Sequence, residues 1–249
     1  MRRRLDLALV ERGLAESRTR AQALVLEGKV RVDGQVERKA SRQIDDSAAI
    51  EVESPPRFVS RGGEKLEGAF AAWGAPDAPD RLVAEGLDCL DVGSSTGGFT
   101  DCLLQHGAAF VMAVDVGTNQ LAYRLRTDPR VWVKENFNAR YLNPTDLPRV
   151  PSLAVTDVSF ISLRLILPPI VRVLAPGGRI VALIKPQFEV GKGNAPGGLV
   201  RDEHLRLAAR DEIVRFAAEE LSLTLLGLRE SPILGREMGN VEYLAYWRV

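Results

Sequence analysis

Cysteine and histidine are scarce in this 249-residue chain, with only Cys89, Cys102, His106 and His204. Two cysteines offer no disulfide framework and fit a reducing compartment. With so few thiols and imidazoles, a Cys/His zinc cluster is excluded and no metal is expected. Long apolar runs are missing too. The longest stretch without a charge, Cys102 to Val114, is thirteen residues and contains Gln105, His106 and Gly107, well short of the roughly 18–20 apolar residues that span a bilayer. Met1-Arg2-Arg3-Arg4 is not followed by an apolar signal core, so secretion is not expected and the expected location is the cytoplasm. Net charge is absent as well, thirty-three Lys+Arg against thirty-three Asp+Glu. What is present is an ordinary globular mixture, 45% hydrophobic and 27% charged, which rules out a disordered or collagen-like chain. The length suits one or two domains at roughly 100–200 residues each.

The zero total conceals an uneven distribution. Residues 1–43 hold eleven Lys+Arg and six Asp+Glu, whereas residues 44–56 hold four acids and no base. Leu5, Ala8 and Leu9 recur at helical spacing, with Gly13 placed to end that helix. Ser17 is placed to cap a second helix with the stripe Ala21, Leu24 and Val25, ending at Gly28. Val30 to Val36 alternates around Asp33-Gly34 and predicts a hairpin, and Ile44 to Val52 a further short strand. Ser54-Pro55-Pro56 punctuates the chain. The expected division is therefore a small unit over 1–54, a linker over 55–60 and a larger unit over 61–249.

Most charge runs are solvated surface. Here, however, Arg4, Arg18, Arg20, Lys29, Arg31, Lys39 and Arg42 lie off the apolar stripe, as a phosphate-binding face would. The stretches Ser17 to Leu24 and Glu27 to Gly34 resemble the S4 RNA-binding module, which implies RNA as partner and these seven residues as its contacts.

After the linker, apolar strand-like runs alternate with helical stretches, the pattern of a mainly parallel sheet covered on both faces. Strands are predicted at 87–92, 110–116, 131–133, 153–156, 179–184, 223–228 and 241–247. Helices are predicted within 63–73, 99–106, 121–126, 163–174 and 202–220. Between the first strand and its helix runs Asp91-Val92-Gly93-Ser94-Ser95-Thr96-Gly97-Gly98-Phe99-Thr100. The glycine spacing is not the G-x-G-x-x-G of a dinucleotide site, which argues against a nicotinamide oxidoreductase, and no Gly-Lys-Ser/Thr makes it a P-loop. Asp91, two residues before Gly93, would repel an anion and suits a cationic ligand. Asp115 ends the next strand, where an acid can accept hydrogen bonds from ribose hydroxyls. Together these features resemble a class I S-adenosylmethionine-dependent methyltransferase. The resemblance implies an α/β fold with a Rossmann-like sheet. It also implies that Asp91 faces the amino-acid end of the cofactor, that Gly93, Ser94, Ser95, Thr96, Gly97 and Gly98 line it, that Asp115 holds its ribose, and that Asn138, in Glu135-Asn136-Phe137-Asn138, meets its adenine.

Ligands of open α/β sheets bind beyond the carboxyl ends of the strands. Asp157 ends the fourth predicted strand and Lys185 the fifth. A seventh, antiparallel strand of the methyltransferase type would start at that same edge and bring Glu242 there. Lys65 opens the helix before the first strand and can reach the rim. Singly, each reads as a surface charge or ion pair. Lys185 is the exception, because a lysine at a central strand end is costly unless paired or functional. The order Lys65, Asp157, Lys185, Glu242 resembles the tetrad of RrmJ/FtsJ-like ribose 2′-O-methyltransferases. With the S4-like unit, the whole chain resembles the TlyA family of rRNA 2′-O-methyltransferases, also called haemolysin A-like. That resemblance implies methyl transfer to ribosomal RNA, to cytidine, with Lys185 as base, Lys65 and Asp157 orienting it and Glu242 balancing charge. The absence of an N-terminal extension and the stop just after the last strand resemble the family's shorter members, which modify only the large subunit. Gly191 to Gly198 is too glycine-rich for regular structure and is expected to be a mobile lid, an RNA-contacting loop or a passive surface loop. Two other readings stay open on sequence: a non-catalytic RNA- or ribosome-binding protein with a vestigial Rossmann domain, and a membrane-active haemolysin, which the hydropathy does not support.

Overall fold

The computed structural model describes residues 2–53, 56–191, 193–235 and 238–249. Ser54 and Pro55 of the expected boundary, and Lys192 of the expected glycine-rich loop, lie outside the described residues. The chain divides into two compact units, Met1–Pro56 and Arg57–Val249.

In the first unit, strand β1 (Arg2–Arg4) leads into helix α1 (Leu5–Glu11), followed by α2 (Arg18–Leu26) and strands β2 (Val30–Val32), β3 (Gln35–Glu37), β4 (Gln43–Asp45) and β5 (Ile50–Val52). Both helices end on a left-handed glycine. Past α1, Gly13 N–H donates to Val10 and Leu14 N–H to Leu9; past α2, Gly28 donates to Val25 and Lys29 to Leu24. These paired bonds satisfy carbonyls that a helix end otherwise leaves open. Ser17 caps α2 by accepting the Arg20 N–H at 3.2 Å. Asp33 (φ 52°) and Gly34 (φ 80°) form the primed turn between β2 and β3. Leu5, Leu9, Leu24, Val25, Val30 and Ile44 close the core.

The predicted single strand over 44–52 is two strands in two sheets. β4 pairs with β1, while β5 pairs with β2. A turn closed by Ala48 N–H on the Asp45 carbonyl separates them, and Asp33 fixes it by accepting the Ala49 N–H. β1 itself was hidden because three consecutive arginines carry no apolar alternation.

The second unit runs α3 (Gly62–Trp73), β6 (Asp88–Val92), α4 (Gly98–Gln105), β7 (Phe110–Val114), α5 (Tyr123–Arg126), β8 (Val131–Lys134), β9 (Leu153–Thr156), α6 (Leu167–Val173), β10 (Arg179–Ile184), the single turn α7 (Pro186–Glu189), α8 (Glu203–Leu221), β11 (Thr224–Glu230) and β12 (Tyr243–Arg248). Seven strands form one sheet in the order β11-β12-β10-β9-β6-β7-β8. β8, β7, β6, β9 and β10 are parallel; β12 runs antiparallel to both β10 and β11. Alternate residues face opposite layers. Cys89, Val111, Val155, Val181 and Leu244 pack against α3 and α4, with Leu66, Phe70 and Leu103. Leu90, Met112, Ala154, Ile180 and Trp247 pack against α6 and α8, with Ile170 and Ile213. Burial on both faces explains why the strands read as near-continuous apolar runs. The helix predicted over 163–174 is split into a 3₁₀ turn at Leu163–Leu165 and α6, with Pro168 and Pro169 in the first turn of α6. Proline suits a helix start, because its missing N–H is not needed there.

Candidate active site at the carboxyl edge of the sheet

The strand order reverses between β6 and β9, so their following loops part and leave a crevice. A cavity of about 1150 Å³ occupies it, wholly within the second unit. The loop after β6 forms one wall. Gly93 has φ 82°, and a Cβ there would lie 2.9 Å from Val158 Cγ1 and 3.3 Å from the Asp157 carbonyl, so only glycine lets these two loops meet. Ser94, Ser95, Thr96 and Gly98 also line the cavity. Gly97 does not; its φ of 98° and a virtual Cβ 2.4 Å from Leu125 mark it as a close-packing position.

Asp115 lines the cavity with its carboxylate held rigidly. Oδ2 accepts the Ser95 N–H at 2.7 Å and Oδ1 the Gly117 N–H at 2.6 Å. Each oxygen keeps a second lone pair for a hydroxyl donor. Asn138 lines the adjoining wall beside Phe137, its Oδ1 accepting the Arg140 N–H. Glu135, first residue of the stretch expected at the adenine, does not line the cavity; it accepts the Asn119 and Gln120 amides and pairs with Arg126 at 2.7 Å. That Arg126 bond, with the amides behind it, holds the Glu135 carboxyl down at about 2.

Asp91 departs from its expected place. It is fully buried beneath the loop and is not part of the cavity wall. Its Oδ2 accepts the Thr100 hydroxyl at 2.7 Å, while Oδ1 is buried with no hydrogen-bond partner among the described residues. Burial, reinforced by the negative charges of Asp157 and Asp115, pushes its carboxyl up to about 7. Asp91 therefore supports the glycine loop from below and does not meet a ligand in the cavity directly. Its strand position was legible in the sequence, but its depth was not.

The same cavity is lined by the four candidate catalytic residues, which the fold brings together. Lys65, on α3, donates to Glu242 Oε2 at 2.7 Å and to Asp157 Oδ2 at 3.5 Å. Lys185 Nζ lies 2.6 Å from Asp157 Oδ1 as an ion pair, and donates a hydrogen bond to Ser159 Oγ at 2.8 Å. The result is a chain of alternating charge: Glu242, Lys65, Asp157, Lys185. Lys65, Lys185 and Glu242 are all buried. Asp157 is half-buried; buried charges cost several kcal/mol each to desolvate and persist only when mutually paired. The sheet register explains the meeting. Ile184 faces Tyr243 across the antiparallel β10–β12 pair, so the next positions outward are Lys185 and Glu242. Ser159 and Gln187, whose Nε2 lies 3.5 Å from Glu242 Oε1, were missed as members of this cluster; their signal was only their nearness to Asp157 and Lys185 in the chain.

At the cavity rim, Phe160 is 83% exposed and adopts φ 63°. That conformation is unfavourable for a bulky residue. Its ring packs at 5.2 Å on Phe188, another cavity residue.

The basic residues of the first unit divide into two groups. Arg4 and Arg18 both bind Asp6, which is fully buried and also accepts Gln22 Nε2 at 2.9 Å. The Arg4 guanidinium, aided by Gln22 and Arg18, holds the Asp6 carboxyl far below the usual carboxylate range. Lys29 pairs with Glu27, Arg42 with Glu37, and Arg31 donates to the Gly34 carbonyl. Among the described residues, Arg20 and Lys39 make no side-chain hydrogen bond or salt bridge; Lys39 is exposed and Arg20 half-buried near Glu27.

The FtsJ-like methyltransferase family model matches residues 58–248, and the S4 domain model residues 3–50. The chain is 46% identical to the 16S/23S rRNA (cytidine-2′-O)-methyltransferase TlyA of Mycobacterium tuberculosis, over 99% of this chain and 90% of that protein. It is 44% identical to Hemolysin A of Brachyspira hyodysenteriae, over 98% and 99% of the two chains. A solved structure from Streptococcus thermophilus superposes with a TM-score of 0.74 at 41% identity, covering 99% of this chain and 88% of that one.

Proposed function

The chain belongs to the FtsJ-like methyltransferase family and carries an S4 domain, and from that premise we propose that it methylates the ribose 2′-hydroxyl of cytidine in ribosomal RNA, with S-adenosylmethionine as cofactor. The reading rests above all on one observation: the Glu242–Lys65–Asp157–Lys185 chain and the glycine loop line one and the same cavity.

The residues fit the cofactor. Ser94 and Ser95 line the cavity beside Asp115, and the Asp115 carboxylate offers the remaining lone pairs a ribose diol needs. Gly93, Ser94, Ser95, Thr96 and Gly98 would hold its amino-acid end and Asn138 its adenine, with Gly97 and Asp91 supporting the loop from behind. When bound, S-adenosylmethionine supplies a sulfonium methyl group as electrophile.

The hydroxyl is a weak nucleophile until its proton is shared or removed. Lys185 accepts that proton after giving up one of its own to solvent; Ser159 and Asp157 fix the direction of its nitrogen. Lys65 bridges two carboxylates, Glu242 and Asp157, so the four charges together sum to zero. Glu242 anchors Lys65. The remaining acceleration is alignment, holding the ribose oxygen in line with the methyl group it attacks. Phe160 and Phe188 offer ring faces at the rim on which an unstacked base can lie.

In the first unit, Arg20 and Lys39 are free to bind phosphates, while Arg4 and Arg18 present the outer sides of guanidiniums fixed on Asp6. Ribosomal RNA as substrate places the protein in the cytoplasm. Among the described residues no helix is long and apolar enough to cross a membrane. The test is incubation of the purified protein with ribosomal subunits and methyl-labelled S-adenosylmethionine, followed by mapping of 2′-O-methylated positions. Label at a discrete cytidine is expected. Binding of S-adenosylmethionine with no transfer to RNA would overturn the enzymatic reading and leave an RNA-binding protein.

A further inference from the structure

The wall of the cavity beyond Glu242 is built from two loops with little structure of their own. One is the glycine-rich segment between α7 and α8, where Gly191, Gly193, Gly197 and Gly198 all have positive φ. Such a segment loses much conformational entropy on ordering and does not hold a shape unaided. The other connects β11 to β12 and folds back on itself, with Gly235 N–H donating to the Asn240 carbonyl at 2.9 Å and Ser231 N–H to the Glu242 carbonyl at 2.8 Å. Both contribute to the cavity, through Ala195, Gly197 and Gly198 on one side and Leu234, Met238 and Asn240 on the other.

A single side chain joins them. Asn240 is 4% exposed, and its amide is used at both ends. Oδ1 accepts the Val200 N–H at 3.0 Å, and Nδ2 donates to the Gly198 carbonyl at 2.8 Å. The amide thus behaves like a backbone partner, bonding a donor and an acceptor two residues apart on the neighbouring segment. Val200 is itself buried, at 2% exposure, and Arg206 from α8 donates to its carbonyl. The glycine-rich segment is therefore docked at its Gly198–Val200 end.

We propose that Asn240 is a positioning residue for the RNA strand: it latches the glycine-rich segment to the loop that carries Glu242, so that the wall receiving the target ribose is assembled before RNA arrives. The inference rests on the proposed RNA methyl transfer. Preassembly matters because ordering a loop during binding would subtract from RNA affinity. The latch bonds share no residue with the glycine loop or the Asp115 contacts, so cofactor affinity is independent of the latch.

Asn240→Ala and Asn240→Asp in the full chain test this by amide hydrogen exchange and by steady-state kinetics. In Asn240→Ala, exchange at the Val200 amide rises about tenfold, as loss of one buried hydrogen bond implies. The KM for RNA rises about five- to tenfold while the KM for S-adenosylmethionine is unchanged. Asn240→Asp keeps the acceptor for Val200 but sets a carboxylate oxygen against the Gly198 carbonyl; exchange at the Gly198 amide rises and the RNA KM follows. Unchanged exchange over residues 193–200 in the folded variants overturns the latch. Faster exchange with an unchanged RNA KM overturns its positioning role. If the wild-type protein transfers no methyl group, the functional reading fails while the exchange experiment still judges the latch.

Discussion

Lys185 and Asp157 follow the ends of neighbouring parallel strands, β10 and β9, and their side chains meet at 2.6 Å over the cavity. That contact is made by sheet geometry, so it survives changes in the loops. It also fixes a charged amine at the rim where open α/β sheets bind their ligands.

Lys185→Ala should therefore lower kcat by about 10²- to 10⁴-fold, the usual worth of a positioned base, with cofactor and RNA binding retained. Lys185→Arg should not rescue, because arginine does not deprotonate in proteins. Single-turnover transfer of labelled methyl checks both, and near-native turnover by either variant at neutral pH would exclude Lys185 as base.

Glu242→Gln removes the carboxylate 2.7 Å from Lys65 and leaves a buried ammonium with Asp157 alone, 3.5 Å away. Breaking one side of a buried ion pair costs on the order of 3 kcal/mol. Urea unfolding should register that loss alongside reduced turnover. A variant as stable as wild type would mean that water replaces Glu242 at no cost.

The Asp91 carboxyl is raised to about 7 in the folded protein from 3.8. A raised acid favours the folded state when protonated. Its contribution is fully present below its unfolded pKa and is lost as pH rises through about 7. Asp91→Asn, neutral throughout, should flatten this part of the stability profile between pH ~4 and ~7. Denaturant melts across that range give the answer; parallel profiles for the two proteins would contradict it.

Arg18 and Arg20 should separate in their effects. Arg20→Ala should weaken RNA binding alike for many structured RNAs and reduce the salt slope by about one, with stability unchanged. Arg18→Ala should in addition destabilise the first unit, because buried Asp6 loses a partner. Filter binding across a salt series, paired with thermal melts, distinguishes them. Equal stability loss in both variants would remove the distinction.

The parallel strands were legible because burial on both faces leaves unbroken apolar runs such as Ile180 to Ile184, and the glycine loop because its positions 93, 97 and 98 interrupt that pattern. The grouping of Lys65, Asp157, Lys185 and Glu242 was reached through a family resemblance together with strand direction. Composition alone would have left four surface charges. Three features resisted reading for physical reasons. The Asp6 clamp turns two candidate RNA contacts into internal partners, and pairing between residues distant along a helix hairpin has no local signature. Asp91 is buried by what packs over it. The division of 43–52 between two sheets depends on β1, whose arginines give no periodic signal.

The strand order has a consequence for the making of the protein. β12 follows β11 in the chain, yet it lies between β10 and β11, and among the described residues β11 has no other partner in the sheet. During synthesis β11 emerges with an open edge and nothing to pair with, a state prone to wrong association. Glu242 arrives at the same moment as the strand that protects it, 177 residues after Lys65. An enzyme built this way is silent as a nascent chain: completion of its sheet and completion of its charge chain are one event, and a molecule cut short before β12 lacks both.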